Sequence, residues 1–173
     1  MPDMVLGDGS YAMAVGMGQS QRPVRHAGWL GLPPRALNQE DVSTAGLESI
    51  NVATSGILEP VEGAKTQFLP LLQSSEYAMP FEAARFAMLN NPEELLRDLQ
   101  PTGERYAIAA RISGPVQSAY PNGIEGQKDG LKAAHNINVI AVADTDLLSD
   151  RMWVQVQDFF GQRMPQPFAD NAG

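Results

Sequence analysis

The stretch from Ile137 to Phe160, INVIAVADTDLLSDRMWVQVQDFF, constrains this chain more than any other. It opens on a nearly unbroken apolar run, Ile137 to Ala143. Strict polar–apolar alternation is missing, so the run predicts a strand covered on both faces, central in a parallel sheet and parallel to Tyr106–Ser113. Asp144-Thr145-Asp146 ends the run. A helix is then predicted from near Ser149, with Trp153, Val156 and Phe160 on one face. Ser149 would cap it, and Gly161 would stop it. The unit reads as strand, acidic turn, helix, with its acids at the strand's carboxyl end, where sites in open α/β sheets lie.

The rest of the chain supplies further elements. Tyr11 to Gly18 alternates large and small residues and predicts a strand. Gln19 to Arg35 reads as a Gly-, Pro- and Arg-rich loop docked by Trp29 and Leu30. Asn38–Leu47 reads as a short helix and Ser49–Leu58 as a strand. Phe68–Ser75 contains Pro70, which favours a sheet edge. Pro80–Asn90 carries both helix formers and buried-segment character. Asn91-Pro92-Glu93-Glu94 predicts a helix start, with the helix running to about Gln100. Tyr106–Ser113 is the next strand. Gly114 to Asn136 reads as a long loop, mobile in its middle from Gly123 to Gly130 and more broadly over about 121–136. Strands alternating with helices predict an α/β fold, a largely parallel sheet flanked by helices, in a single domain over 1–173.

Charge and composition remove several functions. Twenty acids against twelve bases give a net charge of −8, which argues against nucleic acid or an anionic membrane as main partner. There is no Cys, so disulfides, thiolate zinc sites and a Cys nucleophile are excluded. No signal peptide is legible, and no apolar run approaches the length of a membrane helix. Both ends read as cut, so the expectation is a soluble domain excised from a longer protein.

Four groups of residues could carry chemistry. Asp144, Asp146 and Asp150 offer oxygen ligands suited to Mg²⁺. A strand followed by Asp-x-Asp resembles the first motif of haloacid-dehalogenase-type phosphatases, with Asp144 as nucleophile and Asp146 as acid/base. Leu148 departs from that motif, and no later Lys-plus-acid segment completes it. The other reading makes Asp146 and Ser149 partners of turn and helix-start N–H groups. Thr54-Ser55-Gly56 lacks the G-x-S-x-G elbow, and the only bases, His26 and His135, are expected in polar loops. Gly7-Asp8-Gly9 and Gly16-x-Gly18 lack a nucleotide-loop continuation; Arg22 to His26 could touch an anion. Ser74 and Ser75 end a strand and either satisfy local backbone or meet a ligand. Ser74, Ser75, Asp144 and Asp146 are therefore the candidate contacts for a ligand or partner; no catalytic set is complete and no cofactor is implied. Eight Met and the Trp153 segment could also serve an interface.

Several segments together carry a family resemblance: Val5-Leu6-Gly7-Asp8, Arg25-His26-x-Gly28-Trp29-Leu30, Leu37-Asn38-x-x-Asp41-Val42, Gly46-Leu47-x-x-Ile50-Asn51, Pro70 to Ser75, Tyr106 to Gly114, and Val142 to Asp150. In this order they resemble the extracytoplasmic domain of the gliding-motility-type (GldG-like) ABC transporter auxiliary component. The resemblance implies flavodoxin-like or class I amidotransferase-like layers. It implies a position on the periplasmic side of the inner membrane, and a membrane anchor outside this chain. It also implies an ABC permease and its ATPase as partners, in a non-enzymatic binding or scaffold role. An amidotransferase would need a Cys nucleophile, which this chain lacks. The alternative is an Mg²⁺-dependent hydrolase-like or small-ligand domain using Asp144 and Asp146.

Overall fold

The computed structural model describes residues 3–16, 23–127 and 130–172. Ten strands dominate it: β1 (Met4–Asp8), β2 (Ala12–Gly16), β3 (Pro23–Leu32), β4 (Ile50–Ala53), β5 (Gln67–Gln73), β6 (Ala78–Glu82), β7 (Ala107–Gln117), β8 (Ala133–Val142), β9 (Val154–Phe159) and β10 (Gln162–Pro167). Two short helices, α1 (Ala83–Ala87) and α2 (Glu93–Asp98), lie between β6 and β7. The strands form four sheets, β1-β6, β2-β3-β4, β5-β7-β8 and the β9-β10 hairpin, and every described pairing is antiparallel.

The expected parallel α/β fold with flavodoxin-like or amidotransferase-like layers is therefore overturned, and Ile137–Ala143, expected as a central strand parallel to Tyr106–Ser113, instead falls in the largely exposed edge strand β8 and its end, antiparallel to β7. Parallel strands need long crossovers, and their helices must cover the sheet faces. Helices of five and six residues cannot do this.

Local chemistry explains each departure. The helix predicted from Ser149 to Phe160 is a single 3-10 turn at Asp150–Met152 followed by β9 and β10. Val154 and Val156 alternate with Gln155 and Gln157, a strand period. Phe160 and Gly161 form the two-residue loop, with φ of 50° and 81°, the double-positive pattern of a tight hairpin turn. The helix expected over Asn38–Leu47 is a series of turns. Asn38 Oδ1 accepts the Glu40 N–H at 2.9 Å and Asp41 Oδ1 accepts the Ser43 N–H at 2.9 Å, so short polar side chains take the donors a helix would need. The Gln19–Arg35 loop is largely the ten-residue strand β3. Its glycines are packing residues: a Cβ on Gly28 would sit 2.4 Å from the Phe86 ring.

Other expectations meet the structure more closely. β5 is a sheet edge, with a register shift beside Pro70. Asn91 Oδ1 accepts the Glu93 N–H at 3.1 Å at the start of α2. β2 covers Ala12–Gly16; Met17, Gly18 and the Gln19–Arg22 part of the loop lie outside the described residues. The Gly114–Asn136 loop shortens at both ends, because β7 continues to Gln117 and β8 begins at Ala133. Residues 128–129 of its Gly123–Gly130 middle lie outside the described residues.

Two clusters make the core. The larger joins Leu6, Leu30, Leu32, Ile50, Val52, Leu71, Leu72 and Ile108 from strands of three sheets. The smaller packs Ala27, Phe81, Leu95 and Leu99 under the two helices.

Candidate functional site

The acidic turn sits against the outer edge of β4. One edge of β4 pairs with β3. On the other, the backbone groups of alternate residues meet side chains from far along the chain. Asp170 Oδ2 accepts the N–H groups of Glu48 at 2.7 Å and Ser49 at 3.0 Å. The Asn171 carboxamide accepts the Asn51 N–H at 2.9 Å and donates to the Asn51 carbonyl at 2.6 Å, as a neighbouring strand would. Asp144 Oδ2 accepts the Ala53 N–H at 2.9 Å. Asp170, Asn171 and Asp144 thus complete Ser49, Asn51 and Ala53 in turn. A buried unpaired backbone group costs about 1–3 kcal/mol, so this edge is well protected.

Asp144 carries a second duty within its own turn. Its Oδ1 accepts the Asp146 N–H at 2.8 Å, with the Leu147 N–H adding a further bond. Burial raises its carboxyl above the ordinary range, against the pull of these backbone donors. Asp146 pairs with the Arg151 guanidinium, which also lies 5.4 Å over the Trp29 ring. Asp150 opens the 3-10 turn, and the Ser149 side chain makes no cap bond. Asp144, Asp146 and Asp150 do not gather into a metal-holding group among the described residues.

Ser74 and Ser75 lie beside a buried carboxylate that the sequence reading had placed only in a short glycine turn. Asp8, fully buried on β1, accepts the Ser10, Tyr11 and Ser75 N–H groups at 2.8, 3.0 and 2.6 Å and the Ser75 hydroxyl at 2.8 Å. Ser74 Oγ accepts the Tyr106 N–H at 2.8 Å. Above this floor opens a cleft of about 610 Å³ lined by Ser10, Tyr11, Arg35, Ser75, Tyr77 and Arg105, among others. Arg105 donates to the carbonyls of Ser74 and Arg35 at 3.0 and 2.9 Å. Arg35 lies 5.1 Å over the Tyr11 ring. Neither guanidinium is paired with a carboxylate among the described residues. The cleft brings two arginines, the Glu76 side chain and an aromatic wall together.

The remaining candidates are separated. Ser55 is buried with its Oγ unpartnered. His26 rests against Trp29 and Phe86, its Nδ1 accepts the Gly28 N–H at 3.1 Å, and burial lowers its pKa. His135 is on β8. Gly16 ends β2, while Gly18 and Arg22 lie outside the described residues. A largely buried ion pair was not foreseen: Arg111 on β7 binds Asp41 through two 2.7 Å contacts and also reaches Asn138 Oδ1 at 2.6 Å. The arginine's hydrogen bonds, with help from Ser43, hold the Asp41 carboxyl far below the usual range.

Asp8, Asp170, Asn171 and Arg111 escaped the sequence reading because their partners lie tens of residues away. The one local signal was Gly7-Asp8-Gly9, which marks a turn without naming Ser75. No helix among the described residues is long and apolar enough to cross a membrane. A family model described as an ABC-type uncharacterized transport system matches residues 1–172. No curated protein and no solved structure matches the chain.

Proposed function

The chain belongs to the family described as an ABC-type uncharacterized transport system, and on that premise we propose that it is a non-enzymatic binding or scaffold domain of the transporter's auxiliary component. The match over residues 1–172 carries this reading. In it, the domain works on the periplasmic side of the inner membrane, held by an anchor outside residues 1–173, and its partners are the permease and ATPase of the transporter. The gliding-motility-type resemblance is the finer form of the same reading.

The geometry supports contact rather than turnover. Asp144 spends both carboxylate oxygens on backbone N–H groups, and Asp146 is engaged by Arg151. Ser75 is tied to Asp8. The β9-β10 hairpin instead leaves Val156, Phe160 and Met164 exposed, at 52, 102 and 52%. Apolar surface in such an arrangement suits a protein partner.

The test is co-purification of the full-length parent protein from membranes. Transporter subunits should accompany it, and their absence would remove the reading. A phosphatase assay with Mg²⁺ covers the alternative: turnover that disappears in Asp144→Asn would replace the scaffold with a hydrolase.

A further inference from the structure

We propose that β8 is a dimerisation strand, which pairs antiparallel with β8 of a second copy of this chain. β8 is the terminal strand of β5-β7-β8, so its outer row of N–H and C=O groups has no strand partner among the described residues. Seven of its ten residues are exposed. Natural edge strands are defended by charge, proline or shortness. The sequence AAHNINVIAV has no Lys, Arg, Asp, Glu or Pro, and it runs for ten residues.

The side chains repeat the message. Val139 projects from one face of the sheet and Ile140 and Val142 from the other, at 47, 45 and 38% exposure. A half-solvated strand shows apolar groups on one face only. Ile137-Asn138-Val139 also repeats the tripeptide Ile50-Asn51-Val52 of β4. There, all four strand residues are buried and Asn171 completes the open edge. β8 carries the same chemistry without that cover.

A second copy fits this edge for reasons of charge and symmetry. Each chain carries −8, so most of its surface repels its copy, but β8 carries no Lys, Arg, Asp or Glu. A two-fold axis normal to the sheet pairs an antiparallel strand with itself and closes the assembly at two. With Ile140 opposite Ile140, Val139 meets Ala141 and no like charges oppose. The product is a continuous six-stranded sheet with β8 at its centre, the position its apolar run describes.

The experiment is sedimentation analysis of the chain across the micromolar range, with Val139→Lys, Ile140→Lys and Ile140→Cys. Wild type should reach dimer mass. Each lysine should raise the dimer dissociation constant at least about tenfold, a change of about 1.4 kcal/mol, because like charges then face across the axis. The chain has no cysteine of its own. Opposed residues in an antiparallel pair have Cα atoms about 4.5–5.5 Å apart, within reach of a disulfide. Ile140→Cys should therefore cross-link on oxidation, while Val61→Cys, 76% exposed but outside the paired strand, should not. A wild type that stays monomeric throughout overturns the proposal. So does a dimer that tolerates both lysines and leaves Ile140→Cys unlinked. If a lysine variant misfolds, the cross-link alone decides. None of these outcomes depends on recovery of transporter subunits, so this inference and the functional reading fail separately.

Discussion

Ile50-Asn51-Val52 and Ile137-Asn138-Val139 are the same three residues in two strands with opposite fates. Val52 is 0% exposed and Val139 47%. Local sequence cannot account for the difference. The neighbours do: β4 lies between β3 and a ladder of side chains from Asp170, Asn171 and Asp144, whereas β8 has β7 on one side only. Burial is set by what the distant chain brings to an edge. The molecule accordingly sets a stapled body, to which β5 and β7 belong, against two outlying limbs, β8 and the β9-β10 hairpin.

The largest test of that division is one substitution made in both places. Ile50→Ala empties a packed site and should cost about 2–5 kcal/mol in urea unfolding. Ile140→Ala, nearly half exposed, should cost below about 1 kcal/mol in the dilute monomer. Equal costs would dissolve the comparison. Next in size is the staple itself. Asn171→Ala strips the Asn51 N–H and carbonyl and the Leu147 carbonyl of their partner. The loss should be about 1–3 kcal/mol, with hydrogen exchange rising first at Asn51.

A pH titration probes the join between the body and β8, where Arg111 of β7 holds Asp41 and donates to Asn138 of β8. The Asp41 carboxyl is depressed by the arginine's hydrogen bonds, so the unfolded chain takes up a proton before the folded one does. This stability is complete above the ordinary Asp value of about 3.9 and is lost as pH falls through the depressed folded value. Asp144 works in the opposite direction. Burial raises its folded pKa, so its contribution is present at low pH and is lost as pH rises through that raised value. Asp41→Asn should flatten the acid limb of a stability–pH curve; an unchanged limb would show the pair to be an idle surface contact.

The same contrast explains what could be read from the sequence. Elements fixed by local chemistry were legible: the start of α2 at Asn91, the edge character around Pro70, and strands within Tyr11–Gly18, Ser49–Leu58 and Tyr106–Ser113, found at Ala12–Gly16, Ile50–Ala53 and Ala107–Gln117. The sheet order was not, because an apolar run records that burial is needed without saying what supplies it. Val154 to Phe160 misled for a second reason: Trp153, Val156 and Phe160 fit a helical spacing, but the Phe160-Gly161 turn and the alternation before it outweigh that pattern. Asp144 follows the end of β8, yet its bond to Ala53 spans 91 residues and no spacing rule reaches so far.

The smallest effect is also the most diagnostic, because it should have the opposite sign. Phe160 sits at the hairpin tip with φ of 50°, a left-handed conformation that costs a bulky side chain about 1–2 kcal/mol. Asn before Gly is the preferred pair for a two-residue hairpin of this type. Phe160→Asn should therefore stabilise the chain by about 0.5–1 kcal/mol in urea unfolding. In the body, every apolar truncation should destabilise. At the hairpin tip, Asn should help, because the left-handed backbone there suits it better than Phe. A stabilised Phe160→Asn that also fails to retain transporter subunits would identify the tip as a contact surface held at a cost to folding. A destabilised variant would show that the ring packs within its own chain, and the hairpin would then belong with the body.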